Sequence, residues 1–277
     1  MAEKYEVRPE QSVELLKELH ILTRDGKLNQ DSRRKLKQVY HLFQFIEPLL
    51  LDAIEAQGGQ GIHVVDHGAG KSYLGFILYD LFFKARQDAS LIYGIETRPE
   101  LIERSRALAD RAGFAGMRFL NLSVADSIVS DAMPPQIDVV TALHACNTAT
   151  DDAIRFALAK QARHVVLVPC CQAEVAAMLR KHKGKALANP LAELWRHPIH
   201  TREFGSHITN VLRCLQLEAH GYQVNVTELV GWEHSMKNEL IIASYKNLPR
   251  RRAAERLTVL LDQLGLQELS ERFFLTA

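Results

Sequence analysis

From residue 61 to residue 245 short apolar runs alternate with stretches of helical spacing, and this alternation constrains the fold more than any other feature of the chain. The runs have strand length, and the segments between them are long enough to be crossover helices. Strands are expected at Ile62–Asp66, Leu91–Glu96, Arg118–Leu122, Ile137–Leu143 and Val165–Pro169. Helices are expected between and after them at Ser72–Lys84, Pro99–Ala112, Asp151–Gln161 and Glu174–His182. An irregular, histidine-rich stretch and a helix over Ile208–His220 lead to two further strands, Gln223–Val230 and Glu239–Tyr245. Only Gly231–Asn238 separates these two, and a parallel crossover needs about a dozen residues, so they should pair as an antiparallel hairpin. The expected fold is α/β: a Rossmann-like, doubly wound, seven-stranded mixed sheet with its last strand antiparallel.

Both ends of the chain read as helical. Leu15, Leu16, Leu19 and Leu22 recur at helical spacing before a turn at Asp25-Gly26. A second helix is expected from Ser32 through Gln44 toward Pro48, and Gly58-Gly59 ends the pattern. At the other end Leu257, Leu260, Leu261 and Leu264 share a helical face. The chain thus divides into an N-terminal helical extension (1–57), a central α/β domain (58–250) and a C-terminal helix (251–277). No apolar run approaches the roughly 18 residues of a membrane span, and Met1–Glu10 lacks a signal-peptide pattern. Four cysteines are too few for a disulfide scaffold, so a cytoplasmic protein is expected.

The strongest local signal is Val64-Val65-Asp66-His67-Gly68-Ala69-Gly70-Lys71-Ser72, an apolar strand running into a glycine turn and then a helix. Glycines permit the tight turn and let a ligand approach the backbone. Gly70-Lys71-Ser72 imitates the end of a P-loop, but the first glycine of that motif would fall on Val65. The dinucleotide fingerprint G-x-G-x-x-G fits Gly68 and Gly70, yet its third position is Tyr73, which opposes close helix–strand packing. What fits is D-x-G-x-G, on Asp66, Gly68 and Gly70. A free carboxylate at that point repels a pyrophosphate and suits a cofactor with a cationic amino-acid end, as S-adenosylmethionine (SAM) has. The cofactor candidates in the loop are therefore Asp66, Gly68, Ala69, Gly70 and Tyr73. Glu96, ending the second strand, is placed to accept ribose hydroxyls, with a solvated strand-end acid as the alternative. Asp126, after the third strand, is a candidate for the adenine amino group or a helix cap.

At this point the sequence resembles a family. Asp66-His67-Gly68-Ala69-Gly70-Lys71-Ser72-Tyr73-Leu74, Leu143-His144-Ala145-Cys146-Asn147-Thr148-Ala149-Thr150-Asp151 and Val168-Pro169-Cys170-Cys171 look like a branch of the class I SAM-dependent methyltransferases. It is the branch also found as a methyltransferase domain in glutathione S-transferase C-terminal-domain-containing proteins. The resemblance covers roughly residues 33–245. It implies the seven-stranded fold, SAM as cofactor and a substrate site at the carboxyl ends of the strands. The family often has Asp where this chain has Asn147, which puts in doubt any role of that position as a base.

In an open α/β sheet the site lies outside the carboxyl ends of the strands, at the switch point. There the first and fourth strands would lie side by side, so His144–Asn147 should face the cofactor. Methyl transfer asks the protein to position a nucleophile and to accept its proton. The catalytic candidates are His144 as base or loop anchor, Asn147, and Cys170, whose thiolate would suit attack on a pyrimidine ring. A zinc site from His144, Cys146, Cys170 and Cys171 is the weaker reading, because adjacent cysteines on a strand diverge; no metal is expected. Thr150-Asp151-Asp152 reads as a helix cap with an acidic first turn.

The formal net charge is only +1, but residues 176–252 hold 12 Lys/Arg against 6 Asp/Glu, while residues 61–175 hold 11 against 13. Arg180-Lys181-His182-Lys183-Gly184-Lys185 opens the basic stretch, and Arg250-Arg251-Arg252 closes it. With Trp195 and Tyr222 nearby, and Trp232 and His234 in the hairpin loop, a basic rim would suit RNA through phosphate pairing and base stacking. The leading expectation is a SAM-dependent methyltransferase acting on RNA or a translation-associated protein. A small-molecule methyltransferase and an inactive SAM-binding scaffold are the alternatives.

Overall fold

The apolar runs become strands β1 (His63–His67), β2 (Leu91–Ile95), β3 (Met117–Leu120), β4 (Val139–Leu143), β5 (His164–Val168), β6 (Tyr222–Glu228) and β7 (Glu239–Tyr245). In the computed structural model, which describes residues 6–86, 88–143, 148–169, 172–181, 190–229 and 239–273, they form one sheet of order β3-β2-β1-β4-β5-β7-β6. The first five are parallel. β7 inserts antiparallel against β5, with Val166 opposite Ile242, and pairs antiparallel with β6, with Val226 opposite Ile241. The winding reverses between β1 and β4, which sit side by side and create the crevice expected of a doubly wound sheet.

Because side chains alternate across a strand, each central strand feeds two apolar layers. Val64, Val139, Val166 and Val168 pack on one face with α2 (Gln30–Ala56), α3 (Tyr73–Leu78) and α4 (Pro99–Ala112). Val65, Val140, Ala142, Val165 and Leu167 pack on the other with α6 (Thr148–Ala159), while α5 (Val124–Val129) lies against that layer through Ile128. A third cluster joins α7 (Glu174–Lys181), α8 (Pro198–Ala219), α9 (Arg251–Gln263) and the C-terminal α10 (Ser270–Phe273), through Leu179, Leu212, Leu257 and Phe273.

The N-terminal helices belong to the core. After a short α1 (Val13–Glu18), α2 starts where Asn29 accepts the Ser32 N–H at 2.8 Å. Leu36, Val39, Leu42, Phe43, Ile46, Leu50 and Ala53 recur at three- and four-residue spacing and are all buried. The far end of α2 is clasped to the amino end of the sheet: Asp52 meets Arg163 at 2.5 Å and His164 at 2.8 Å, and Gln57 donates to Asp138 at 2.7 Å.

Several expectations change. The second helix runs through Pro48 to Ala56 as one element. α8 begins at Pro198 and takes in the last ten residues of the stretch read as irregular. α3 ends in a π-helical turn, Tyr79–Phe83, and α5 was not foreseen. Three parts of the expected basic rim are placed elsewhere. β7 runs toward the amino ends of the parallel strands, with Ser244 opposite His164, so Arg250–Arg252 lie at the end of the sheet away from the switch-point crevice. Trp195 is 1% exposed and stacks on Phe204, while Tyr222 is 2% exposed and donates its hydroxyl to the Ala162 carbonyl. Neither ring is free to stack on a base. Among the described residues no helix is long and apolar enough to cross a membrane.

Candidate cofactor and acceptor site

Gly68 and Gly70, just past β1, take left-handed backbone angles (φ 64° and 58°) that a side chain would resist. The turn is tied to β2 by Ala69, which donates its N–H to the Ile95 carbonyl at 3.0 Å. A Cβ placed on Gly68 would meet no atom of the described residues within 4 Å, which leaves a cradle over the backbone among them. This space, beside an acid ending β2, fits the ribose end of an adenosine cofactor.

Glu96 does not wait there unpaired. One carboxylate oxygen accepts from the Gly70 N–H at 2.9 Å and from Arg98 Nη2 at 3.0 Å; the other accepts from Arg98 Nε at 3.0 Å and from the Thr97 and Arg98 backbone N–H groups. The Arg98 guanidinium, followed by the other bonds it receives, holds the Glu96 carboxyl down at about 2. Arg98 Nη2 also stands 3.8 Å from where a Gly70 Cβ would be, so the guanidinium overhangs the cradle. Sequence reasoning missed Arg98, although a basic residue two positions after a strand-end acid was there to be noticed.

Asp66 points away from the cradle. Its carboxylate is 2% exposed and faces the start of α3, accepting from the Thr141 hydroxyl at 3.1 Å and the Gly75 N–H at 3.3 Å. Burial pushes its carboxyl up to about 6 despite those bonds. His67 projects from the opposite face onto Phe156, ring centroids 5.5 Å apart. Both its ring nitrogens are buried without a hydrogen-bond partner among the described residues, and burial lowers its pKa to about 4, so the ring is neutral near pH 7. Tyr73 turns toward the N-terminal helices, and burial raises its hydroxyl pKa. Asp126 is exposed at the start of α5, where it accepts from the Ser123 hydroxyl at 2.5 Å while its N–H donates back at 3.2 Å. That is the capping arrangement.

His144, Asn147 and Cys170 lie outside the described residues, as do Cys146, Cys171, Trp232, His234 and residues 182–185. Their flanks are visible. Asp151 is no solvated first-turn acid: it is buried and paired with buried Arg213 of α8, at 2.6 and 3.1 Å. Arg213 also reaches Asn210, which accepts from Gln172 at 2.8 Å and donates to Glu239 at 2.7 Å. One polar cluster thus holds the start of α6, the segment after β5 and the start of β7. The partner lay 62 positions away and left no local trace in the sequence. No cluster of metal-binding side chains exists among the described residues.

Beside the cradle, α2 and α3 enclose a cavity of about 60 Å³ with the ends of β4 and β6. Leu42, Phe43, Tyr73, Ile77, Leu143 and Leu229 line it. It sits at the carboxyl end of the sheet, where an acceptor must approach the cofactor.

The seven-stranded sheet, wound to both sides of a glycine turn with an acid at the end of the next strand, defines the SAM-dependent methyltransferases. The chain belongs to the methyltransferase-domain family, whose model matches residues 34–178, just over half of its length. It is a methyltransferase with SAM as cofactor. No protein of curated function matches the chain in sequence. Among solved structures it is similar to magnesium protoporphyrin IX methyltransferase from Synechocystis PCC 6803 with bound SAH, at 15% identity over 84% of this chain and 94% of that one, TM-score 0.44. It is also similar to a methyltransferase from Podospora anserina with bound SAH, at 10% identity over 84% and 87%, TM-score 0.45. A third likeness is to an rRNA methylase from Streptococcus thermophilus, at 10% identity over 69% and 89%, TM-score 0.43.

Proposed function

We propose that this methyltransferase acts on a small acceptor whose reacting end is carried by an apolar group. The observation behind the reading is the cavity walled by Leu42, Phe43, Ile77 and Leu143, whose 60 Å³ would hold about two waters or a group of a few heavy atoms. A wall of this kind rewards an apolar body and offers a phosphate nothing. The features that spoke for RNA are reduced, since Trp195 and Tyr222 are buried and Arg250–Arg252 lie at the opposite end of the sheet.

Bound SAM supplies an electrophilic methyl group on a sulfonium centre. The chain's part is to hold and to shield. Glu96 would take the ribose hydroxyls, Gly68 and Gly70 let the cofactor approach the backbone, and the buried charge of Asp66 favours a cation above it. His144, one residue past β4, is in this reading the group that takes the nucleophile's proton.

The test is partition of label. Protein, methyl-labelled SAM and a cell extract split into low-mass and RNA fractions are incubated together. Label is expected in the low-mass fraction and should fall at least tenfold with Leu42→Trp, which fills the cavity, while SAM affinity stays within twofold. Label in RNA alone would replace this reading with a nucleic-acid acceptor.

A further inference from the structure

A second concavity, of about 300 Å³, opens on the outer side of the glycine turn between α1 and α4. Leu19, Leu101 and Leu108 give it apolar lining. Its walls carry three permanent cations, Lys71, Arg104 and Arg111, against one acid, Glu18. Glu18 is already held by Arg111 at 3.3 Å. Lys71 and Arg104 have no ion-pair partner among the described residues. Two positive charges therefore remain uncompensated within one groove.

Like charges that converge in a concavity repel, and apolar walls sharpen their field, so such a groove favours an anion. An arginine fork matches two oxygens of a phosphate, and a lysine adds a movable point charge. The volume is at the lower limit of small-ligand sites, about 300 Å³, and the apolar lining suits a compact body behind the anion. The groove also adjoins the cofactor: Lys71 directly follows Gly70, whose N–H is bound to Glu96.

We propose that this groove binds the phosphate group of a phosphorylated ligand, held by Lys71 and Arg104 beside the occupied cofactor cradle. The site is distinct from the apolar cavity, so it stands or falls separately from the nature of the methyl acceptor. A phosphate monoester and the backbone of a nucleic acid share this chemistry.

The experiment uses the full chain saturated with S-adenosylhomocysteine, so that probes cannot enter the cradle. It is titrated with phenyl phosphate and, separately, with a hexamer of uridylate. Wild type should bind at least one probe, with affinity falling as salt rises. Arg104→Glu should weaken that binding at least tenfold and Arg104→Lys by less, with S-adenosylhomocysteine affinity within twofold in both. If the hexamer binds over tenfold tighter than phenyl phosphate, the phosphate belongs to a nucleic acid; otherwise it belongs to a small ligand. Absence of binding by both probes, or binding indifferent to Arg104→Glu, overturns the proposal. Arg104 is exposed, and Arg104→Gln replaces the reversal if that variant does not fold.

Discussion

Burial lifts the Asp66 carboxyl to about 6, above the ordinary value near 4, so the folded chain binds this proton more tightly than the unfolded chain does. The resulting cost to stability is absent below about pH 4, grows between about 4 and 6, and stays in place above. Asp66→Asn should therefore leave stability unchanged at pH 4 and raise it by about 3 kcal/mol at pH 7.5, read by urea denaturation at both values. The amide can be accommodated, because the Thr141 hydroxyl also lies 3.5 Å from the Val65 carbonyl and can turn to donate there. The same variant should lose affinity for cationic SAM more than for its uncharged-sulfur product. Arg98 gives the second prediction at this scale. With the Arg98 side exposed, this pair is worth about 1 kcal/mol, so freeing Glu96 by Arg98→Ala should tighten SAM binding up to about fivefold in calorimetric titration. Glu96→Ala should weaken it roughly tenfold or more. The glycine turn at Gly68 and Gly70 and the acid at the end of β2 were legible because turn geometry is local. The inward aim of Asp66 was not, because it depends on Thr141 across a strand pair.

At the scale of elements, the strands were legible because runs of valine and isoleucine mark them directly, and the short link after β6 gave the antiparallel seventh strand. The start of α8 was not, since Pro198 and the histidines mimic a loop while in the fold Pro198 opens the first turn. Asp151 lies in the first turn of α6 as read, but its pairing left no local trace, because its partner Arg213 comes from a distant helix. Removing one member of a buried ion pair costs about 3–5 kcal/mol, because the other is left charged in the interior. Arg213→Met should lose that much in urea denaturation. The double change Arg213→Met with Asp151→Leu should recover most of it, and Arg272, 4.0 Å from Asp151, will soften the single loss.

At the scale of the molecule, the first 57 residues were read as an extension, and the fold packs seven of their side chains into the 24 buried in one apolar layer. Phe43 is buried between α2 and the sheet, and Phe43→Ala should cost about 3–5 kcal/mol in one cooperative transition that includes the sheet. A separately folding extension would instead melt apart from it. The continuity of α2 was hard to see because Pro48 signals an end to a helix, yet the apolar spacing continues beyond it.

That proline has a mechanical consequence. It has no N–H to give to the Gln44 carbonyl, so the hydrogen-bonded ladder of α2 is interrupted between its two halves. The half beyond Pro48 is anchored by Asp52 and Gln57 at the amino end of the sheet; the half before it contributes Leu42 and Phe43 to the cavity. The two halves of α2 are thus held by different forces, polar bonds beyond the proline and mainly buried apolar side chains before it.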